Sequence, residues 1–364
     1  VCPYCDFAKW PLRRSSAVTY LAALAAEIAA VPAFAGETLF LGGGTPNTYG
    51  PDEIAALVAN LTARFAPGGF AEATIEMNPD PELCTPAVFA AYRQAGLDRI
   101  SFGAQSFVEA ELAVLGRRHS PRDVASAVAA ARGAGVANVS LDLIFATPGQ
   151  SVESWRESLG AALALEPDHI STYGLTIEDG TPFAGWFTRR PSDFATNDLE
   201  AELYATAIDT LEAAGFEQYE ISNFARSGRR CAHNANYWAN GEYLGLGVGA
   251  ASYRAGVRST NVRELGAYVG AALAGGPIPG EAERLEGAAR LGEAAMLALR
   301  TAEGVDVAAF AERYGVDFHR SYERVLTEMR ANGTIDVTQA HVRLTRRGRF
   351  VANEVCAAFV SAAG

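Results

Sequence analysis

The sequence predicts an α/β protein: a partial (β/α)6 barrel that lacks its first strand, followed by a smaller winged-helix-like α+β domain at the C-terminus. Three observations carry this expectation. Short apolar runs alternate with helical patterns of about ten residues or more through the first half of the chain, the mark of parallel βαβ units. Polar residues and glycines cluster just after the strands, at the end where barrel proteins hold their sites. Beyond a Gly/Pro stretch at 275–280 come three helical patterns and a hairpin.

Taken in order, Ser15 and Ser16 cap a helix that runs to 31. Residues 38–41 form a strand ending at Gly42-Gly-Gly44, and Pro51 with its acidic neighbours opens a helix to 65. Strands are expected over 73–77, 99–103, 138–145 and 169–177, with helices over 86–95, 108–115, 121–134 and 152–165 between them. That makes five strands and a first helix with no strand before it, so a sixth strand is expected ahead of Val1. The chain opens without Met and inside a loop-like stretch, which predicts a start further upstream. A long helix over 197–214 leads into an irregular region that contains Cys231 and His233. Helices over 285–301, 305–314 and 318–332, with hairpin strands over 333–337 and 341–345, build the last domain. The expected divisions are 1–190 for the barrel, 191–280 for a connecting region and 281–364 for the C-terminal domain.

Composition narrows the function. The 364 residues are 49% hydrophobic and 20% charged, enough apolar surface for one large or two smaller cores, which excludes disorder. A net charge of −12 argues against a protein that wraps nucleic acid. Five cysteines are too scattered for a disulfide scaffold and point to a reducing, cytoplasmic compartment. No run of about 18 apolar residues is free of charge or proline, so no integral membrane segment is expected.

Cys2-Pro-Tyr-Cys5 read alone is a dithiol redox pair or half of a zinc site. Pro11 breaks the helix that a redox pair would need, and no second Cys-x2-Cys exists. Gly42-Gly-Gly44 lacks the Gly-Lys-Ser/Thr of a phosphate loop, and Gly245-Leu-Gly-Val-Gly249 lacks the βαβ setting of a dinucleotide fingerprint. Arg343, Arg346, Arg347 and Arg349 flank the expected wing and would suit phosphates, which keeps a DNA-binding regulator as one reading; packing is favoured over it.

The cysteine pair gains meaning from the motifs downstream of it, in order Leu41-Gly-Gly-Gly-Thr-Pro46, Ile75-Glu-Met-Asn-Pro-Asp80, Phe102-Gly-Ala-Gln-Ser-Phe107, Leu115-Gly-Arg-Arg-His119, Leu141-Asp-Leu-Ile144 and Tyr219-Glu-Ile-Ser-Asn-Phe224. The set resembles the radical-SAM family of oxygen-independent coproporphyrinogen III oxidase and its haem-chaperone relatives, over nearly the whole chain. The resemblance implies a radical-SAM barrel with a 4Fe–4S cluster, S-adenosylmethionine (SAM) and haem as cofactors. The family's Cys-x3-Cys-x2-Cys motif places its last two cysteines at Cys2 and Cys5, and its first three residues before Val1. Three thiolates hold three irons, and the fourth iron stays open for SAM. The resemblance also places Tyr4 near the adenine, Gly43, Gly44 and Thr45 at the methionyl end, and Glu76, Gln105, Arg117 and Asp142 around SAM.

Two features separate the family's branches. The oxidases carry a fourth cysteine where this chain has Phe7, and His233-Asn-Ala-Asn-Tyr-Trp238 resembles the HNxxYW motif of the haem-chaperone branch. A neutral imidazole is a good axial ligand for haem iron, and flanking aromatics suit a flat macrocycle. His233 is the expected ligand, with Cys231 a weaker second candidate. The partners implied are a haem-accepting protein and a one-electron donor. Oxidative decarboxylation of coproporphyrinogen III is the alternative activity.

Overall fold

The computed structural model describes residues 2–8, 13–32 and 34–362. Five parallel strands lie in chain order: β1 (Thr38–Leu41), β2 (Glu72–Met77), β3 (Arg99–Gln105), β4 (Asn138–Phe145) and β5 (His169–Gly174). The helices Pro51–Phe65, Pro86–Gln94, Pro121–Gly133 and Val152–Ala164 return the chain between them. Two short strands, β6 (Glu217–Gln218) and β7 (Asn223–Ala225), extend the sheet antiparallel to β5, in the order β1-β2-β3-β4-β5-β7-β6. The partial barrel is thus a mixed sheet. The strand expected over 169–177 stops at Gly174.

Local chemistry sets the helix starts. The Glu53 carboxylate accepts from the Gly50 amide at 2.9 Å, and Ser120 and Asp123 form a reciprocal capping box. The outer face of the sheet is apolar: Ile75, Ile100, Phe102, Val139, Leu141 and Ile170 are fully buried beneath the helices with Phe89, Tyr92 and Trp155. At about 25 cal/mol per Å² of apolar surface, this layer is the main stabilising term. The inner face alternates with it and is polar, carrying Thr74, Glu76, Arg99, Ser101, Ser140, Asp142, His169 and Ser171. Barrel interiors are ordinarily filled with branched apolar residues; a polar inner face marks a lumen built for a ligand.

The connecting region is more regular than its sequence implies. A three-stranded antiparallel sheet, β8 (Ala251–Arg254), β9 (Val257–Asn261) and β10 (Gly280–Arg284), runs through it in the order β10-β9-β8. The β8–β9 turn places Ala255 at φ 49° and Gly256 at φ 76°. Ala-Gly is a weak signal for such a turn, where Asn-Gly is the strong one. The stretch at 275–280 accordingly leads into a strand and is not an open linker. Buried Glu27, on the helix Arg14–Ala30, ties the region down: it accepts from the Gly247 amide (2.7 Å), Asn261 Nδ2 (2.8 Å) and Tyr268 Oη (2.6 Å). Gly245-Leu-Gly-Val-Gly249 therefore includes a structural anchor at Gly247.

The last part has its own core, with Phe310, Phe318, Tyr322 and Phe359 at its centre. Strands β11 (Val305–Asp306), β12 (Ile335–Val337) and β13 (His341–Leu344) form its sheet. The helix expected over 305–314 begins as β11 and becomes helical at Val307, where Asp306 caps it through the Ala309 amide. The helix expected over 318–332 is broken at Tyr322 into Phe318–Ser321 and Glu323–Ala331. This core docks on the barrel through backbone bonds from Ile221 N to Arg300 O (3.2 Å) and from Ala302 N to Tyr219 O (3.0 Å). Arg346 pairs with Asp209 at 2.5 Å, and Arg349 donates to Gln218 at 2.7 Å.

Candidate functional site

The loop after β1 crosses the C-terminal end of the parallel strands. Gly43 stands at φ 89° and donates its amide to Glu76 Oε2 at 3.1 Å. Gly42 has no room for a side chain, because a Cβ would lie 2.6 Å from Phe40 Cε1 and 2.8 Å from Glu76 Oε2. At Gly43 and Gly44 an added Cβ would meet nothing within 4 Å, so bare backbone faces open space. Such a loop can take the polar end of a ligand on its amides.

Asn78 joins this loop to the next strands. Its Nδ2 donates to Thr45 Oγ1 at 3.1 Å and its Oδ1 accepts from Arg117 Nη1 at 2.8 Å. Arg117 Nη2 and Gln105 Nε2 converge over Gly103, each 2.9 Å from where a Cβ would be. Gln105 reaches this place through a break in the β3–β4 register between Phe102 and Gln105, and stands at φ 65°. Asp142, deeper in the lumen, accepts from Ser171 Oγ (2.8 Å) and Ser101 Oγ (3.1 Å), while burial pushes its carboxyl upward. Burial, with Asp142 nearby, pushes Glu76 up to about 7 against the pull of the Gly43 amide.

The cysteine loop lies beside this set. Pro3 packs against Gly116, accepts from the Phe183 amide at 3.2 Å, and is followed by Tyr4, whose ring lies 6.0 Å from that of Phe183. Cys2, Cys5, Asp6 and Arg263 line a cleft of about 460 Å³ with residues 179–182. The predicted residues thus fall into a connected arrangement: Gly43 with Glu76, Thr45 with Arg117 through Asn78, Gln105 with Arg117 over Gly103, and Tyr4 beside Arg117. Gly44 lies on the open side and Asp142 further in. The open glycine backbone and the Arg117 Nε, buried without a partner among the described residues, fit a polar ligand of the SAM type. A cluster is a different matter. Among the described residues no three His, Cys, Asp or Glu side chains are grouped to hold a metal, so Cys2 and Cys5 alone do not complete a 4Fe–4S site.

His233 sits at the opposite end of β1, on the short helix Ala232–Trp238. Its Nδ1 is 2.7 Å from Thr38 Oγ1, its Nε2 is 2.7 Å from Tyr237 Oη, and its ring stacks on Phe40 at 5.3 Å. Burial holds its pKa below the ordinary 6.5, which keeps the ring neutral. Glu72, at the start of β2, accepts from the Ala232 amide and the His233 amide, both at 3.0 Å. Cys231 is buried, its thiol directed at Glu72 and pushed up to about 11 by burial. Phe40 therefore touches both halves of the site, with His233 on one side and the Gly42–Glu76 contact on the other.

Sequence reasoning passed over Asn78, Gly103, Thr38, Phe40 and Glu72. The alternation of polar and apolar residues along β2, β3 and β4 was the available signal for the lumen. Nothing local ties Thr38 or Glu72 to a helix some 160 to 195 positions later.

Residues 1–162 match the radical SAM superfamily, and residues 285–351 match the HemN C-terminal domain. The chain is 33% identical to heme chaperone HemW of Bacillus subtilis, over 99% of this chain and 96% of that protein. It is 36% identical to heme chaperone HemW of Mycobacterium tuberculosis, over 97% and 90%. The solved structure of coproporphyrinogen III oxidase (HemN) from Escherichia coli superposes with a TM-score of 0.84, covering 99% of this chain and 87% of that one; at 22% identity this establishes the fold. The family match and the fold define a radical-SAM protein. Within that class the chain belongs to the HemW heme chaperone family.

Proposed function

We propose that this chain binds haem through His233 and hands it to an acceptor protein, with SAM held at the Gly43–Thr45 loop of the same lumen. The observation that carries the reading is the state of His233: neutral, half-buried, backed by an aromatic ring and fixed at Nδ1 by Thr38. In the tautomer with hydrogen on Nδ1, that N–H donates to Thr38 Oγ1 and the Nε2 lone pair accepts from the Tyr237 hydroxyl. Displacement of that hydroxyl frees the nitrogen for iron, and the contact with Thr38 holds the orientation of the ring. Tyr237 is 36% exposed, so it can move aside without unpacking the core.

In this reading Gly43, Gly44 and Thr45 take the methionyl end of SAM, Arg117, Gln105, Glu76 and Asp142 surround it, and Tyr4 lies against the adenine. Cys2 and Cys5 supply two thiolates to a 4Fe–4S cluster, which needs a third. A complete cluster would supply one-electron chemistry toward SAM, with a donor protein as the source of the electron. The setting is the cytoplasm, where thiolates stay reduced. Among the described residues no helix is long and apolar enough to cross a membrane.

Phe7 at the fourth-cysteine position weighs against the oxidase reading. Arg343, Arg346 and Arg349 weigh against a DNA-binding role, since their guanidinium groups are engaged within the chain, with Glu303 O, Asp209 and Gln218. The test is transfer: the haem-loaded chain mixed with apomyoglobin should yield holomyoglobin, while coproporphyrinogen III stays unconverted. Retained haem together with porphyrin product would reverse the assignment.

A further inference from the structure

The helix that carries His233 has only seven residues, too few to hold itself in water. Its first turn is held by the barrel, through Glu72. Its last turn is held by the C-terminal domain. Arg313, on the helix Val307–Tyr314, donates Nη1 to Ala239 O at 2.7 Å and Nη2 to Asn240 O. Asn240 is buried at φ 51° and donates Nδ2 to Tyr314 Oη at 3.3 Å. The Arg300 guanidinium lies over the Trp238 ring at 5.4 Å. A guanidinium fork on two successive carbonyls at a helix C-terminus satisfies exposed acceptors and complements the negative end of the helix dipole.

We propose that the C-terminal domain braces the haem motif, with Arg313 as a positioning residue for His233. This rests on the reading of His233 as haem ligand. The barrel and the C-terminal domain then meet at one short helix, and the pose of the imidazole depends on both. Arg313 itself touches no ligand; it acts by fixing the turn that ends in Asn240.

Haemin titration of the full chain tests this, with the Soret band as the second readout beside affinity. Arg313→Gln should weaken haemin binding about 10-fold, the scale of losing charge-assisted bonds to two carbonyls. Its Soret band should move toward that of His233→Ala. Arg313→Lys, which keeps the charge, should restore part of the affinity and the wild-type band. Tyr314→Phe removes only the Asn240 contact and should give a smaller loss in the same direction, which keeps the test alive should Arg313→Gln fold poorly. Wild-type affinity and band in both Arg313→Gln and Tyr314→Phe, with a loss in His233→Ala, would overturn the brace and leave the ligand intact. An unchanged titration in His233→Ala would remove the ligand reading, and the brace with it.

Discussion

Glu76 illustrates how one residue's environment decides its chemistry. Its folded-state pKa lies near 7, above the ordinary 4.5, so between those values the folded chain binds more protons than the unfolded one. The stability this gives is complete below 4.5 and is lost as pH rises through 7. Glu76→Gln, neutral throughout, should flatten that part of the curve. In urea melts between about pH 5 and about pH 8, the wild type should lose stability relative to the variant. A gap that is constant with pH would contradict the burial of this carboxyl. Thr38 is the second residue whose role is specific. Thr38→Val removes the partner of Nδ1 and should weaken haemin binding by about 10-fold or more, with the fold unchanged. Equal affinity would mean that the other contacts of the ring suffice to orient it. Glu76 and His233 were legible in the sequence because linked motifs carry them. Thr38 was not, because its importance comes from a ring nitrogen on a helix that only the tertiary fold brings to β1.

The element that matters most is the helix Ala232–Trp238, held at its first turn by a carboxylate from another strand. Glu72→Ala removes the acceptor of two amide bonds and should cost about 1–2 kcal/mol, the scale of a lost helix cap. It should also weaken haemin binding without abolishing it, as read by melting and titration of the same sample. A variant as stable as the wild type would show that water replaces the carboxylate at no cost. Apart from β5, which ends three residues earlier than expected, the parallel strands and the helices between them were legible to within a residue or two, since short apolar strands alternating with capped helices leave few other arrangements. Strand β4 and the helix Pro51–Phe65 fall where the pattern placed them. The sheet β8–β10 was hidden because its strands are short and mixed in polarity, and its hairpin turn lacks a strong signal. The break at Tyr322 was hidden because the residue is apolar and in phase with the helix; it is buried among Phe318 and Phe359, and packing there overrides the run of helical propensity.

At the scale of the whole molecule, one barrel with a polar lumen and a second core docked on it both reach the helix Ala232–Trp238. The lumen's two halves meet at Phe40, which links the imidazole end to the glycine-loop end, while the cysteine loop lies beside the glycine-loop end, packed on Gly116. Haem binding should therefore depend on the first arrangement and not on the thiols. The decisive measurement is a haemin titration of the full chain followed at the Soret band, comparing wild type, His233→Ala and the Cys2→Ala/Cys5→Ala pair. A large loss of affinity with an altered band is expected for His233→Ala, and a wild-type curve for the cysteine pair. A wild-type curve for His233→Ala, with binding lost in the cysteine pair, would contradict haem ligation by the imidazole.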